Sequence, residues 1–345
     1  MIDYFINQAE KGRIPDFLIK AGIRNLCSQR LKWVDEMEEE NLVKHNENWV
    51  KKLKNSPIAL VPEKANEQHY ELPPKFFELV LGANLKYSCG LWNQNSDLDK
   101  SESDMLEMYI EKSGIRDGMD ILELGCGWGS LTFFMAKNFP QSKITAVSNS
   151  NDQREYIESK CNLNNIENIN VITCDMNDFN ISKKFDTVIS IEMFEHMRNY
   201  EKLLKKISSF LKEKGTLFVH IFSHKSIVYP YEDRGPSDWM AREFFSGGLM
   251  PSHDLLSNFQ DDLKLQKKWV ISGEHYKKTS YAWLQKLDDN KSTVIELFKK
   301  TYGTNEAIIW FNRWRIFFLA CAEMFGMKNG SEWGVSHYLF KKGDV

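Results

Sequence analysis

The stretch Asp120–Leu131, DILELGCGWGSL, decides the fold. Residues 120–124 suit a buried strand, Ser130 to Lys137 suits a helix, and Gly125-Cys126-Gly127-Trp128-Gly129 joins them. A glycine-rich turn from strand to helix lets a ligand come close to the backbone, because no Cβ stands in the way. It also presents free amide N–H groups to whatever binds there. Outward from this turn the chain alternates strand and helix, the pattern of a doubly wound α/β sheet. Strands are expected at 120–124, Lys143–Val147, Ile169–Thr173, Phe185–Ile191 and Thr216–Phe222. Helices fit at 129–138, 151–163 and 200–212, with a short one near 193–197. On such a sheet ligands sit at the carboxyl ends of the strands, near the point where strand order reverses.

The strand ends are informative one by one. The first carries GxGxG, not the GxGxxG that a later ribose-binding acid completes in dinucleotide sites. After the second strand, where that acid would stand, the chain reads Ser148-Asn149-Ser150-Asn151-Asp152-Gln153, a neutral cluster able to bond ribose hydroxyls. After the third comes Asp175-Met176: a carboxylate can accept from an exocyclic adenine amine, and a thioether can pack on an adenine face. The fourth ends in Ile191-Glu192-Met193-Phe194-Glu195-His196. Two carboxylates and an adjacent imidazole at the mouth of a sheet form a general-base cluster. Acids near a helix start are also favoured by the helix dipole alone.

Around this core, residues 1 to about 54 read as helices broken near Gly12 and Pro15, with a charged stretch from Asp35 to Lys54 that suits a solvated face. Pro57, Pro62, Pro73 and Pro74 mark a linker. A helix around Phe76–Leu81 and one from about Ser101 to Ser113 flank LKYSCGLWNQNSDLD, which has no regular period and suits a ligand-lining loop. With 345 residues the chain is long enough for a large core plus an accessory region. A net charge of -3 leaves no electrostatic footprint for nucleic acid. Six cysteines without CxxC spacing argue against zinc and a disulfide framework, so no metal is expected. The first residues carry early charges and no apolar h-region, and no run of about 18 apolar residues exists, so a cytoplasmic protein without a membrane span is expected. The 22 Phe, 12 Tyr and 10 Trp fill a core or line a pocket for a flat or cationic ligand.

Read together, YSCGLW (87–92), ELGCGWGS (123–130), the polar run ending in Gln153, IEMFEHMRNY (191–200), GTLFVHIFSHK (215–225), FFSGGLMPS (244–252), GEHYKKT (273–279) and WRIFFLACAEMFG…EWGVSHYLFKK (314–342) resemble a known family. It is the S-adenosylmethionine-dependent methyltransferases of the cyclopropane fatty acid synthase superfamily, and within it the coclaurine and related alkaloid N-methyltransferases. The resemblance implies a class I methyltransferase fold: a Rossmann-like seven-stranded sheet, a helical N-terminal region and a helical lid insertion. It divides the chain into 1–85, helices and linker covering the pocket; 86–225, the cofactor-binding core; and 226–345, the lid insertion, further helices and two last strands at Lys264–Ser272 and Trp333–Phe340.

The same resemblance implies S-adenosyl-L-methionine as cofactor, with Tyr87 and Ser88 at its methionine end and Glu123, Gly125, Gly127 and Ile191 beside it. Ser148, Asn149 and Gln153 would hold the ribose, and Asp175 and Met176 the adenine. Glu192, Glu195 and His196 would face a small aromatic amine of benzylisoquinoline or phenylalkylamine type, Glu192 holding the ammonium, Glu195 and His196 serving deprotonation and positioning. No stable membrane association is implied, and relatives of this type are often homodimers. The alternative is a cyclopropane fatty acid synthase-like lipid methyltransferase: those enzymes bind a bicarbonate-like base with Cys, Glu, His and Tyr, and Cys89, Glu195, His220 and Tyr276 are the counterparts. Trp239, Phe244, Phe245, Trp310, Phe311 and Trp314 are candidate amine-packing aromatics, and Cys321 reads as a buried structural thiol.

Overall fold

A computed structural model describes residues 2–60 and 72–343 of the chain. Nine strands occur among them: β1 (Asp120–Leu124), β2 (Lys143–Ser148), β3 (Ile169–Thr173), β4 (Phe185–Ile191), β5 (Leu211–His224), β6 (Tyr229–Pro230), β7 (Leu249–Met250), β8 (Leu263–Ser272) and β9 (Trp333–Lys342). Seven of them form one sheet in the order β3-β2-β1-β4-β5-β9-β8, and β6 and β7 make a separate ribbon. β1 to β5 pair in parallel, while β9 runs antiparallel to both β5 and β8. The parallel strands are covered on both faces by helices, which is why ILEL and TVIS are continuous buried runs rather than alternating ones.

The five expected core strands are present, and the last two complete the sheet. β5 is longer than Thr216–Phe222: Leu211 pairs with Phe185 across a bulge, and β9 pairs with it out to His224. Strand order reverses beside β1, which has β2 on one side and β4 on the other, so a crevice opens above the carboxyl ends of these strands. The turn after β1 takes three left-handed glycines, Gly125 (φ +79°), Gly127 (φ +53°) and Gly129 (φ +85°), and Gly129 leads directly into helix Ser130–Asn138. Helix Leu98–Ser113 starts on Asp97, whose carboxylate accepts from Lys100 N, and stops at the left-handed Gly114.

Helices Ile2–Glu10 and Asp16–Asp35 dock on helix Ala307–Phe325 through charged clamps. Arg313 reaches Glu10 (3.0 Å), and Arg315 forks onto Asp16 (3.0 and 2.9 Å) and Asp288 (2.6 and 2.9 Å). Helix Glu39–Lys54 is more than the expected solvated face. Asn46 bonds both Ser226 O (2.8 Å) and Val228 N (3.1 Å), and His45 Nε2 lies 2.8 Å from Val228 O. Pro57 and Ile58 accept from the Asn199 and Arg198 amides just past β4; Pro62 lies outside the described residues; Pro73 and Pro74 open helix Pro74–Val80. The insertion after β5 is helical only in short turns around Trp239–Glu243 and Leu255–Asn258, joined by the β6/β7 ribbon. Arg198 pins it by donating to Gly247 O and to Gly248 O (2.8 Å).

Candidate active site

Two cavities open where the strands end. The narrower one, about 140 Å³, is lined by all eleven residues expected to hold the cofactor: Tyr87, Ser88, Glu123, Gly125, Gly127, Ser148, Asn149, Gln153, Asp175, Met176 and Ile191. Local hydrogen bonds fix its walls. The Gly125 and Cys126 amides both donate to Val147 O (2.9 and 3.0 Å), which ties the glycine turn to the end of β2. A Cβ at Gly125 would stand 2.9 Å from Met193 Cβ, so the close approach of this turn to the end of β4 requires glycine. Asp175 is oriented by accepting from Asn177 N (2.6 Å). Ser148 donates to Gln153 Oε1 (2.6 Å), which aims the amide of Gln153 and leaves its Nε2 without a partner. Trp128 Nε1 and Ser130 Oγ, in the same wall, are also buried and unpartnered. Each such atom costs on the order of 1–3 kcal/mol unless something polar meets it. Unsatisfied donors beside a glycine turn, with a carboxylate two strands away, fit a polar ligand with a sugar and a base. Glu123 closes the floor: buried, it accepts from the Thr132 hydroxyl (2.6 Å), and burial pushes its carboxyl up to about 8.

The second cavity, about 790 Å³, is mostly apolar and is walled by the N-terminal helices, the insertion and the helices Gly273–Asp289 and Ala307–Phe325. Of the expected aromatics, Trp239 and Phe245 line it. Phe244, Phe311 and Trp314 instead fill the core between helices, and Trp310 stacks on Tyr302 at 4.4 Å, so these four do not face the cavity. Periodicity gives the buried side of a helix but not which cavity that side meets. Further aromatics on its wall, among them Phe222, Tyr229, Tyr231, Trp283, Phe317 and Phe325, come from four separate segments and carry no local signal. Cys321 is corrected as well: its thiol lies on this cavity wall rather than wholly inside a core.

Three residues line both cavities: Tyr87, Glu192 and His196. Glu192 is the hub. Its Oε1 accepts from His220 Nε2 (3.0 Å) and from the Cys89 amide (3.2 Å), and its Oε2 accepts from the Tyr276 hydroxyl (2.6 Å). The residue itself is left-handed, at φ +47°, with its amide held by His220 O (2.9 Å). A non-glycine residue in that region costs on the order of 1–3 kcal/mol and persists only where its surroundings impose it. Cys89, His220 and Tyr276 do cluster as expected, but around the carboxylate of Glu192 and not around Glu195.

Glu195 lines neither cavity. It is fully buried, and its Oε1 accepts from the Phe222 amide (3.0 Å), so the expectation that it meets the substrate is corrected to a place one layer behind Glu192. Burial and then the neighbouring Glu192 push the Glu195 carboxyl well up. Burial also raises Glu192, but Lys86, Tyr276 and the Cys89 amide all pull the other way. Of two coupled acids the one with more donors keeps the charge, which here is Glu192. His196 packs against Phe245 (4.9 Å between rings), and burial brings its imidazole down to about 4, so it is neutral at neutral pH. Lys86 was not legible in the sequence. It is wholly buried in the first cavity's wall, donates to Cys89 O (2.8 Å) and to Ser88 Oγ, and is lowered by burial to about 8.

Residues 61–332 match the family described as mycolic acid cyclopropane synthetase. An (S)-coclaurine N-methyltransferase of Thalictrum flavum subsp. glaucum is 38% identical over 342 residues, spanning 98% of this chain and 95% of the relative. The crystal structure of a coclaurine N-methyltransferase bound to N-methylheliamine and SAH superposes with a TM-score of 0.95 at 37% identity, covering 98% of this chain and 99% of that one. A cyclopropane synthase of Mycobacterium tuberculosis shares the fold, with a TM-score of 0.70 at 19% identity over 83% of this chain and 100% of its own.

Proposed function

This chain belongs to the mycolic acid cyclopropane synthetase family, and we propose that it methylates the nitrogen of a small aromatic amine, of benzylisoquinoline or phenylalkylamine type. It is an S-adenosylmethionine-dependent N-methyltransferase related to the benzylisoquinoline alkaloid N-methyltransferases. The observation that carries the substrate reading is the junction: a polar cavity at the strand ends and a large aromatic one meet at Glu192 and His196. The cofactor belongs in the first, with Ser148, Asn149 and Gln153 toward its ribose, Asp175 and Met176 toward its adenine, and Tyr87 and Ser88 toward its methionine end. When bound, it supplies an electrophilic methyl group on sulfur.

The amine needs two things from the protein. An alkylamine is mostly protonated near neutral pH, and an ammonium has no lone pair to attack a methyl carbon in line. Glu192 binds the cation with a carboxylate that three protein donors hold ionised. His196, neutral and at the same junction, takes the proton only in passing and hands it on toward the open cavity, and general-base help of this kind contributes about 10²–10⁴ in rate. Glu195 backs this pair as a positioning residue through the Phe222 amide. Tyr231, Phe245 and Trp283 provide rings for an aromatic amine and for its charge. Glu192 also supports the amine reading over the lipid one, because its side chain occupies the centre of Cys89, His220 and Tyr276, where a free small base would otherwise sit.

A methyl-release assay across benzylisoquinolines, phenylalkylamines and a phospholipid suspension tests the proposal. Turnover on the aromatic amines is the expected result; turnover on lipid alone would overturn it. Glu192→Gln and His196→Ala are expected to lose turnover while S-adenosylhomocysteine binding persists.

A further inference from the structure

Ile191 on β4, His220 on β5, His337 on β9 and Trp269 on β8 stand in register across four strands. Paired residues on adjacent strands share a face, and helix Leu98–Ser113 covers it, with Tyr109 packed edge-on against both imidazoles. A file of hydrogen bonds runs along this row. Glu192 Oε1 lies 3.0 Å from His220 Nε2, His220 Nδ1 lies 2.9 Å from His337 Nε2, and His337 Nδ1 lies 3.1 Å from Lys112 Nζ. The Tyr109 hydroxyl also reaches His220 Nδ1, at 2.9 Å.

The direction of this file follows from donor chemistry. An ammonium only donates, so His337 accepts from Lys112 at Nδ1 and carries its proton on Nε2. That proton points at His220 Nδ1, which the Tyr109 hydroxyl also approaches, so His220 carries its own proton on Nε2, aimed at Glu192. One charge at the edge of the sheet thereby sets two tautomers and the hydrogen bond that the active-site carboxylate receives. Both imidazoles are fully buried, and burial lowers them well below their usual range, so neither holds a charge itself.

We propose that Lys112 and His337 are positioning residues for amine methylation, orienting a cross-sheet hydrogen-bond chain that keeps Glu192 a carboxylate ready for the substrate ammonium. The proposal rests on the reading of Glu192 as the ammonium-binding group. Lys112 is the titrating end: half buried, it is lowered to about 8 by burial, against the pull of Glu111 on its own helix. From β9 it meets His337, and from β8 the ring of Trp269 at 4.9 Å. Glu192 at the other end faces Lys86, Cys89, His196, Glu195, His220, Tyr276 and Cys321. When Lys112 loses its proton, its amine can accept as well as donate, and the chain loses its fixed direction.

The test is the pH profile of kcat/KM for the best aromatic amine, compared between wild type, Lys112→Met, Lys112→Arg and His337→Asn. Lys112→Met and His337→Asn are expected to move the acidic limb upward by about one pH unit and to raise amine KM on the order of tenfold at pH 7. Lys112→Arg is expected to keep most of the wild-type limb, and S-adenosylhomocysteine affinity is expected to stay unchanged throughout. An acidic limb that stays in place in Lys112→Met, including one that stays while the melting temperature falls, overturns the proposal. A wild-type enzyme that turns over no amine overturns the reading of Glu192 instead, so the two failures are separable.

Discussion

The two cavities share a wall at Glu192 and His196 yet are built on different plans. The cofactor-side cavity is assembled mostly from consecutive strand ends, each contributing three to six adjacent residues, and parallel pairing brings those ends together automatically. The amine-side cavity draws from Ile2 at one end of the chain to Trp333 near the other, and exists only because helices far apart in sequence dock on one another. In the first, position along the chain nearly dictates position in space. In the second, tertiary packing decides. The cofactor site is therefore the part that tolerates little local change, and the amine site the part free to vary with substrate.

Mutations on the shared wall should have the largest effect. Glu192→Gln keeps the shape and removes the charge, so amine turnover is expected to fall by about 10² or more, with S-adenosylhomocysteine affinity changed by less than about threefold in calorimetry. Parallel losses on both sides would show that the wall belongs to both ligands equally. Next in size is Gly125→Ala, which acts on one side only. At φ +79° the new Cβ is strained and meets Met193 Cβ at 2.9 Å. A penalty of about 1–2 kcal/mol would weaken cofactor binding on the order of tenfold while leaving amine KM at saturating cofactor nearly unchanged. A variant that instead raises amine KM first would break the separation of the two cavities.

The same contrast explains what could be read from the sequence. Nine of the eleven expected cofactor residues line one cavity because each sits within a few residues of a strand end, and strand ends are readable from apolar runs and glycines; Tyr87 and Ser88 reach it from the loop before helix Leu98–Ser113. Glu195 was misplaced because IEMFEHM gives the spacing of its acids but not the turn they adopt. The left-handed Glu192 and the short Phe194–His196 helix send one carboxylate into the junction and the other back toward β5. Phe244 and Phe245 are neighbours in sequence, yet one is core and the other faces the amine cavity, a difference set by the docking of helix Ala307–Phe325. Nothing in the sequence distinguishes Lys86 and Lys112 from the chain's other lysines, and only their burial gives them a role.

A smaller effect separates the cavities by pH. Glu123 belongs to the cofactor side alone, and its folded carboxyl is raised from 4.5 to about 8. Between those values the folded protein holds a proton that the unfolded chain has released. The stabilisation this brings is fully present below the unfolded value and is lost as pH rises through about 8. The melting temperature of ligand-free wild type is therefore expected to fall from pH 6.5 to 9, and Glu123→Gln to flatten that fall by about 2 °C or more. Glu102, raised to about 7, titrates with the same sign and leaves a residual slope in the variant. Equal slopes in both proteins would remove Glu123 as the source.

The smallest change expected lies wholly on the amine side. Phe245 touches His196 (4.9 Å), Tyr231 (4.8 Å) and Phe222 (5.5 Å), so its ring forms the aromatic edge nearest the proton acceptor. Phe245→Leu keeps much of the apolar volume but removes the ring face, and an aromatic contact of this kind is worth about 0.5–1.5 kcal/mol. Amine KM is then expected to rise about two- to tenfold with kcat close to wild type, because the lost contact is made equally by bound amine and transition state. A comparable fall in kcat with unchanged KM would mean that the ring holds His196 in place instead of the substrate. That outcome would move Phe245 from the variable wall of the amine cavity to the fixed junction it shares with the cofactor.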